Sequence, residues 1–393
     1  MARGHHLFAL AGLLLALPAT AQQTTEQRMQ QLEKRLDDLT REVAQIRQEI
    51  DALKSAPTDL TNVQTVSNVS TAGASKVFNP DISVIGNVLG KSGQPNPHEF
   101  GPHDARAPLS LDESEMALQA FVDPYAKANF FLSVTHEGIE VEEGYAQFVT
   151  LPYGLTARAG KMKSMFGKDN TWHTHLRPWA DQPLVIHNFF GDEGLADEGI
   201  SVSKAFANPW NVFVEGTGEI FSGNVEGVFR RHSLNDLFYN AHLKLFGDIN
   251  ESSNLEIGAS FARGALPDDR RGHNQFAGID LTYRWRPLRQ GLYKSFIGRV
   301  EAIVNDRSDS ERRLKGFYAS ADRQLAQRWF AGLRLDAADR DRGAAATLTF
   351  WPSEFSQLRG ELRRIRYGDA GRTVNEFLMQ LQFAIGAHGA HTF

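Results

Sequence analysis

The chain of 393 residues contains no cysteine. This absence excludes disulfide bonds, thiolate metal sites and a lipid-modified cysteine anchor. No apolar run reaches about 18 residues, the length that a membrane-spanning helix requires. The mean hydropathy of −0.36 is also too polar for a helical membrane protein. A membrane β-barrel is compatible with both observations, because only alternate residues of its strands contact lipid.

Several enzyme motifs are missing as well. The sequence has no phosphate-binding Gly loop ending in Lys-Ser or Lys-Thr, no Gly-x-Ser-x-Gly motif and no dinucleotide-binding fingerprint. An outer-membrane phospholipase would need a Ser and a His on the outer wall, and from the sequence we expect no partner for Ser260 or Ser320 at a neighbouring strand position. The formal net charge of −5 does not suggest a nucleic-acid partner. We therefore predict no enzymatic activity, no cofactor and no nucleic-acid partner.

The N-terminus has the pattern of a secretory signal. A weakly basic start at Arg3 precedes an apolar stretch over residues 7–17. Ala19 and Ala21 then supply small residues at the cleavage positions. This pattern predicts a signal peptide at 1–21 and an exported protein.

A heptad repeat follows the signal. Its apolar a and d positions are Met29, Leu32, Leu36, Leu39, Val43, Ile46, Ile50 and Leu53. Three of the four g–e charge pairs are opposite in sign, which favours a parallel assembly of identical chains. We predict a coiled-coil oligomerisation segment at 22–55 and a polar linker at 56–76. A lone amphipathic helix is the alternative.

The end of the chain alternates between apolar and mostly polar residues. The odd positions after Asn375 are Phe377, Met379, Leu381, Phe383 and Ile385. A period of two puts them on one face of an extended strand. With a terminal aromatic residue, Phe393, this pattern is typical of the closing strand of an outer-membrane β-barrel. The outer side of such a strand faces lipid and the inner side faces water.

Similar alternation recurs throughout residues 77–393, where we predict an all-β, transmembrane antiparallel β-barrel of about 16 strands. The segments are 80–88, 115–123, 125–135, 139–149, 154–163, 196–206, 210–218, 235–246, 254–263, 274–286, 294–305, 315–324, 327–337, 343–352, 355–367 and 373–385. Short turns, such as 247–250, are expected on the periplasmic side and longer connections on the outside. A soluble β-sandwich or a periplasmic barrel is the alternative, since both also alternate.

An acidic residue precedes an aromatic strand at residues 143–148. An Arg-x-Gly-x-x-Lys strand and a Phe-Gly pair follow, at residues 155–163 and at Phe166 and Gly167. These motifs, with the strand start at residues 195–200, resemble the phosphate-selective porins. The resemblance implies a sixteen-stranded, trimeric outer-membrane channel with a basic lumen.

A porin selects solutes by the pore radius and by the charge of its wall. In the C-terminal half, alternation places seven bases inward: Arg284, Arg286, Arg299, Arg328, Arg334, Arg359 and Arg363. It also places five acids inward: Asp280, Glu301, Asp322, Asp336 and Glu361. This cationic excess favours anions, and guanidinium groups can bind phosphate in a forked geometry. An ion-paired wall that stiffens the barrel explains the same residues.

Residues 164–195 form the longest irregular stretch, and such long loops are commonly functional. The resemblance implies that this loop folds into the lumen and narrows it. Further candidates for lining an anion constriction are Arg158, Lys161, Lys163, Lys168 and Arg177.

The same loop supports a metal site as a rival. His173, His175 and His187 offer imidazole nitrogens, and Asp169 and Asp192 offer carboxylates, of the kind that Zn²⁺ takes. Additional donors lie elsewhere in the chain: His136, Glu140, Glu142, Glu143, His388 and His391. No closed spacing of four ligands is present, so solvated loop histidines explain the pattern equally.

The leading hypothesis is a passive homotrimeric porin of the bacterial outer membrane, surrounded by lipid. It would conduct small solutes with a weak preference for anions, phosphate among them. One alternative is a divalent-metal (zinc) channel that uses the histidine- and acid-rich loop. Another is a structural outer-membrane anchor that carries a periplasmic coiled coil.

Overall fold

The computed structural model describes Lys34 and residues 80–93, 109–135 and 138–386. Apart from Lys34, which is helical and exposed, the predicted signal peptide, coiled coil and linker lie outside these ranges and stay predictions. None of the helices in the described ranges is long and apolar enough to span a membrane.

Seventeen strand segments form one antiparallel sheet. They are β1 (Asp81–Gly93), β2 (Leu109–Leu111), β3 (Ser114–Phe121), β4 (Ala126–Thr135), β5 (Gly138–Leu151), β6 (Leu155–Lys163), β7 (Ala196–Phe206), β8 (Phe213–Phe221), β9 (Phe238–Asn250), β10 (Ser253–Ala265), β11 (His273–Trp285), β12 (Phe296–Arg307), β13 (Leu314–Ala326), β14 (Trp329–Ala338), β15 (Asp341–Ser353), β16 (Ser356–Tyr367) and β17 (Arg372–Gly386). β1 pairs with β17 from Ser83 opposite Gly386 to Gly93 opposite Glu376. The sheet therefore closes into a barrel.

The wall has sixteen strand positions, because β2 and β3 are two pieces of one broken strand that both pair with β1. At the break, the backbone N–H of Asp112 donates to the carbonyl of Asn87 at 2.8 Å. The prediction of about sixteen strands is confirmed, and every predicted segment coincides with a strand apart from its ends. One closed sheet also excludes the two-sheet sandwich.

The alternation predicted for the last strand is confirmed. All five odd residues of β17 from Phe377 to Ile385 are exposed on the outer face, while Glu376, Gln380 and Gln382 are buried inside. The inner face also carries apolar residues: Val374 belongs to the interior cluster, and Leu378 packs against Leu89 and Ala180. Large apolar side chains are exposed on the other strands too, so the outer wall of the barrel is apolar.

The two longest connections of the described ranges lie at one end of the barrel, which we name the long-loop end although it also carries the two-residue turn 339–340. We name the other end the short-turn end after its two-residue turns 251–252, 327–328 and 354–355. The residues predicted as a turn at 247–250 belong instead to β9, and the turn consists of Glu251 and Ser252. The ten-residue connection 286–295 is an exception to the short turns at its end. The long-loop end carries the connections 164–195, 222–237 and 266–272.

The barrel interior contains a hydrophobic cluster. Helix α1 (Leu184–Phe190) contributes Val185, Ile186 and Phe190 to it, all buried. Connection 222–237 and the inner wall supply further members: Val225, Val228, Phe229, Phe238, Phe276 and Tyr318. The two connections therefore fill part of the interior with apolar side chains.

Candidate functional site in the barrel lumen

Residues 164–195, here named the lumen loop, connect β6 to β7 and extend across the barrel. The hydroxyl of Ser164 donates to Glu219 of β8 at 2.8 Å, and the backbone N–H of Gly167 donates to Ser260 of β10 at 2.8 Å. The backbone N–H of Ala180 donates to Glu361 of β16 at 2.8 Å. The loop therefore contacts strands on distant parts of the wall and narrows the interior.

Wall carboxylates hold the backbone of this loop and of its entry from β6. In each case a carboxylate oxygen accepts a hydrogen bond from a backbone N–H: Glu143 from Lys163 (2.9 Å), Glu219 from Met165 (2.8 Å), Glu301 from Asp169 (3.1 Å), Glu361 from Ala180 (2.8 Å) and Asp336 from Leu184 (3.2 Å). A hydrogen bond of this kind contributes about 0.5–1.5 kcal/mol, and more where the acceptor is charged. These acids therefore anchor the loop.

Asp181 makes the strongest ionic anchor of the loop. Its two carboxylate oxygens lie 2.7 Å from Arg334 of β14 and 2.7 Å from Arg363 of β16. The two arginines also pair at 2.8 Å with Asp336 and Glu376, respectively. Burial alone would raise the pKa of Asp181, but the two guanidinium groups hold it well below its usual range. The carboxylate is therefore charged at any working pH.

The predicted cationic excess on the C-terminal wall is wrong. Arg286 lies beyond the end of β11, where its Nε donates to the Gly291 carbonyl at 3.0 Å, and exposed Arg328 lies in the turn after β13. Neither faces the lumen, because both strands end before these residues. The remaining inward bases are Arg284, Arg299, Arg334, Arg359 and Arg363, and they are matched by the five predicted acids.

Most of the predicted residues around β6 do lie inside. Arg158 pairs with Glu219 at 3.3 Å, Lys163 with Glu142 at 2.7 Å, Arg177 with Asp169 at 3.3 Å, and Lys168 with Glu256. Lys161 is the exception. It lies opposite exposed Glu198 on the outer side of the sheet, and its Nζ donates to the Val141 carbonyl at 2.8 Å.

A cavity of about 340 Å³ lies between the lumen loop and the short-turn end of β11–β16. Among the described residues, its charged lining comprises Lys168, Arg177, Arg284, Arg299 and Arg359, with Asp322 as the only carboxylate. Asp322 pairs with Arg299 at 2.5 Å, and the Arg299 guanidinium lies 5.6 Å from the centroid of Trp172. We name this space the basic cavity.

Two of the three histidines predicted as metal ligands come together. His173 contacts Glu115, Glu142 and Glu143, and His175 also approaches Glu115. Although burial lowers the pKa of His173, its carboxylate neighbours raise it well above its usual value. Sequence reasoning missed Glu115, because no local spacing relates β3 to the loop.

His187 lies apart from this cluster and contacts Asp192 at 3.0 Å. It is therefore not a third ligand beside His173 and His175, because it extends from helix α1 and the other two come from the first half of the loop. His136, His388 and His391 lie outside the described ranges.

Gly167 gives a first prediction. Its φ is +61°, and a Cβ there would lie 1.8 Å from Oε1 of Glu301. Gly167→Ala should destabilise the folded barrel by about 2 kcal/mol more than Gly371→Ala, since only the first displaces the Glu301 anchor. Gly371 is the control, because its φ of +59° is close to that of Gly167 and a Cβ there meets nothing within 4 Å. Unfolding of purified protein in detergent measures the difference, and equal losses would contradict the role of Gly167.

No known protein-family model matches the chain. An uncharacterized protein of Aquifex aeolicus is 29% identical over an alignment of 344 residues, which covers 75% of this chain and 72% of that protein. Its sequence is similar, but it offers no assigned activity.

Solved structures of outer-membrane proteins are similar in fold. An anion-selective porin from Comamonas acidovorans matches with a TM-score of 0.55 at 11% identity, over 78% of this chain and 99% of that one. A loop-deletion mutant of OmpT from Vibrio cholerae gives 0.53 at 9% identity, over 79% and 100%. The outer membrane channel DcaP of Acinetobacter baumannii gives 0.51 at 11% identity, over 78% and 96%. The chain therefore has the barrel fold seen in porins.

Proposed function

We propose that this protein is an outer-membrane porin, a passive diffusion channel for small solutes that prefers anions, phosphate among them. The observation that carries the anion preference is the basic cavity, which is lined by five cationic side chains and one carboxylate. The apolar outer wall and the polar residues of the inner wall suit a barrel that spans a bilayer.

The distribution of acids supports this selectivity even though the C-terminal wall has no cationic excess. Glu219, Glu301, Glu361 and Asp336 accept hydrogen bonds from the loop backbone, and none of them lines the basic cavity. Glu256 pairs with Lys168 and Arg284, and Asp169 pairs with Arg177, but neither carboxylate lines the cavity. Arginine stays charged at any working pH, and its fork of donors matches phosphate and carboxylate oxygens. A solute in the cavity therefore contacts mostly cationic side chains. The similar porin from Comamonas acidovorans is described as anion-selective, which agrees with this proposal.

The proposal includes export and assembly as a homotrimer through the coiled coil. A porin requires no cofactor and performs no catalysis. A structural anchor would use the same barrel without conducting solutes, so measurement of conductance separates it from the porin proposal.

Purified full-length protein in a planar bilayer tests the proposal. We expect discrete conductance steps, and in a gradient of KCl a reversal potential whose sign shows that chloride permeates more readily than potassium. Addition of phosphate should lower the chloride current if phosphate enters the same cavity. Absence of conductance would contradict the channel, and a reversal potential of the opposite sign would contradict the anion preference.

A further inference from the structure

The lumen loop and the wall bring together carboxylate and imidazole groups beside the constriction. We propose that His173, Glu115 and Glu142 bind a divalent transition-metal ion of the Zn²⁺ type, with His175 as the fourth ligand. The ion would join the first half of the loop to β3 and β5. This inference depends on the local geometry alone and does not require that the barrel conducts.

The contacts of His173 are the first argument. Its Nδ1 lies 2.9 Å from Oε2 of Glu115 and 3.1 Å from Oε2 of Glu142. A ring nitrogen carries at most one hydrogen, so it cannot donate well to two carboxylates at once. The two negatively charged oxygens that converge on this nitrogen repel each other, and either a protonated ring or a bound metal ion offsets that repulsion. A metal ion bound by all three atoms removes this conflict.

Glu115 supplies the second, independent argument. Glu115 is 4% exposed. Its Oε2 lies 2.9 Å from Nδ1 of His173 and 3.2 Å from Nδ1 of His175, but neither contact has hydrogen-bond geometry. A buried carboxylate oxygen without such a partner is costly. The ligand atoms of Glu115, Glu142 and His173 all lie within 4.8 Å of one another. Tetrahedral zinc, with bonds of about 2.0–2.2 Å, requires donors about 3.3 Å apart, so small side-chain shifts complete the site.

Neighbouring groups orient the ligands. Nε2 of His173 lies 2.8 Å from Oε1 of Glu143, and a hydrogen bond donated there leaves the Nδ1 lone pair directed at the proposed ion. Nζ of Lys163 lies 2.7 Å from Oε1 of Glu142 and holds the other oxygen of that carboxylate. In zinc sites, a histidine ligand commonly donates its other ring N–H to a carboxylate that does not contact the metal.

The backbone of β5 makes the site possible. The pairing of β4 with β5 shifts register between Phe131 and Leu132, so Glu142 is an extra residue in β5. This bulge directs the side chains of Glu142 and Glu143 to the same inner side, although neighbours in a regular strand point to opposite faces. Without the shift, only one of them would reach His173.

The donor set indicates the class of metal. Two imidazole nitrogens with two carboxylate oxygens suit Zn²⁺ and similar ions, whereas Mg²⁺ and Ca²⁺ take oxygen ligands. The rings of His173 and His175 are stacked with centroids 5.9 Å apart, which places both near Glu115.

Calorimetric titration of ZnCl₂ into untagged, chelator-treated, full-length protein in detergent tests the site. We expect one saturable ion per chain, bound at least about tenfold more weakly in Glu142→Gln and in His173→Gln. His187→Gln is the matched control, since it removes a loop imidazole outside the cluster, and its affinity should equal that of the wild type. Absence of saturable binding, or equal affinity in all variants, would overturn the site.

A second measurement guards against misfolded variants. Co²⁺ in place of Zn²⁺ should give visible absorption bands of a tetrahedral nitrogen and oxygen site in the wild type and in His187→Gln. Glu142→Gln is first shown to be folded, by thermal unfolding without metal that matches the wild type. The Co²⁺ bands should then be absent from this variant. Retention of the bands in Glu142→Gln would overturn the ligand assignment. Conductance recorded on the same preparation tests the porin proposal separately, so failure of one does not imply failure of the other.

Discussion

Asp181→Ala should enlarge the single-channel conductance, because it releases the middle of the lumen loop from the wall. In the folded protein Asp181 joins Arg334 and Arg363, each at 2.7 Å, and no other loop side chain pairs with two arginines in the described ranges. Removal of one partner from a buried charge network costs about 3–5 kcal/mol. We expect larger and noisier current steps in planar bilayers, together with faster proteolysis within 164–195.

Asp192→Ala is the control for this prediction. Asp192 lies in the same loop and its side chain is 50% exposed, with His187 as its partner at 3.0 Å. An exposed ion pair of this kind contributes about 0–1 kcal/mol, so the variant should conduct like the wild type. Unchanged conductance in Asp181→Ala, with the barrel folded, would show that the backbone anchors alone hold the loop.

Arg359→Gln should weaken anion selectivity more than any change on the outer wall. Arg359 is 4% exposed, lines the basic cavity and donates to the Trp179 carbonyl and to Gln380 without a carboxylate partner in the described ranges. Glu361 and Asp322 lie near enough to offset part of its charge, but neither forms an ion pair with it, so the guanidinium still acts on a solute in the cavity. At an effective dielectric constant of about 20, loss of one charge a few ångströms away removes on the order of 1 kcal/mol or more. The anion-to-cation permeability ratio should therefore fall about fivefold.

Arg364→Gln is the matched control, because Arg364 lies on the same strand and is exposed on the outer face. Both variants lose one positive charge, so only the position differs. Reversal potentials in a salt gradient measure the outcome. If both variants shift the potential equally, selectivity arises from the overall charge of the barrel and the basic cavity is not the filter.

The wall of the barrel was predictable from the sequence because its signal is local. Residues 196–206 were predicted as a strand, and β7 has those bounds. In β17 the period of two defines the outer face without knowledge of any partner strand. The apolar Leu378 on the inner face of that strand is explained only by a long-range contact, because Ala180 of the loop packs against it.

Charge placement was predictable only inside regular strands. Arg334 and Asp336 lie inward as expected, whereas Arg286 and Arg328 follow the ends of their strands, where alternation no longer applies. The bulge at Glu142 and the approach of Glu115 to His173 depend on register and on long-range contacts. A pattern along one segment contains no information about either, so the sequence suggested His187 as a ligand and omitted Glu115.

The lumen loop also constrains the order in which this molecule can mature. In this loop, Asp181 contacts Arg363, which is 182 residues further along the chain, and His175 contacts Gln382, which is 207 residues further along. Contacts of such large sequence separation form slowly, because the intervening chain must first lose its freedom. The C-terminal hairpin must therefore be in place before the interior can consolidate. A biogenesis intermediate that lacks β16 and β17 would carry a released, protease-sensitive loop.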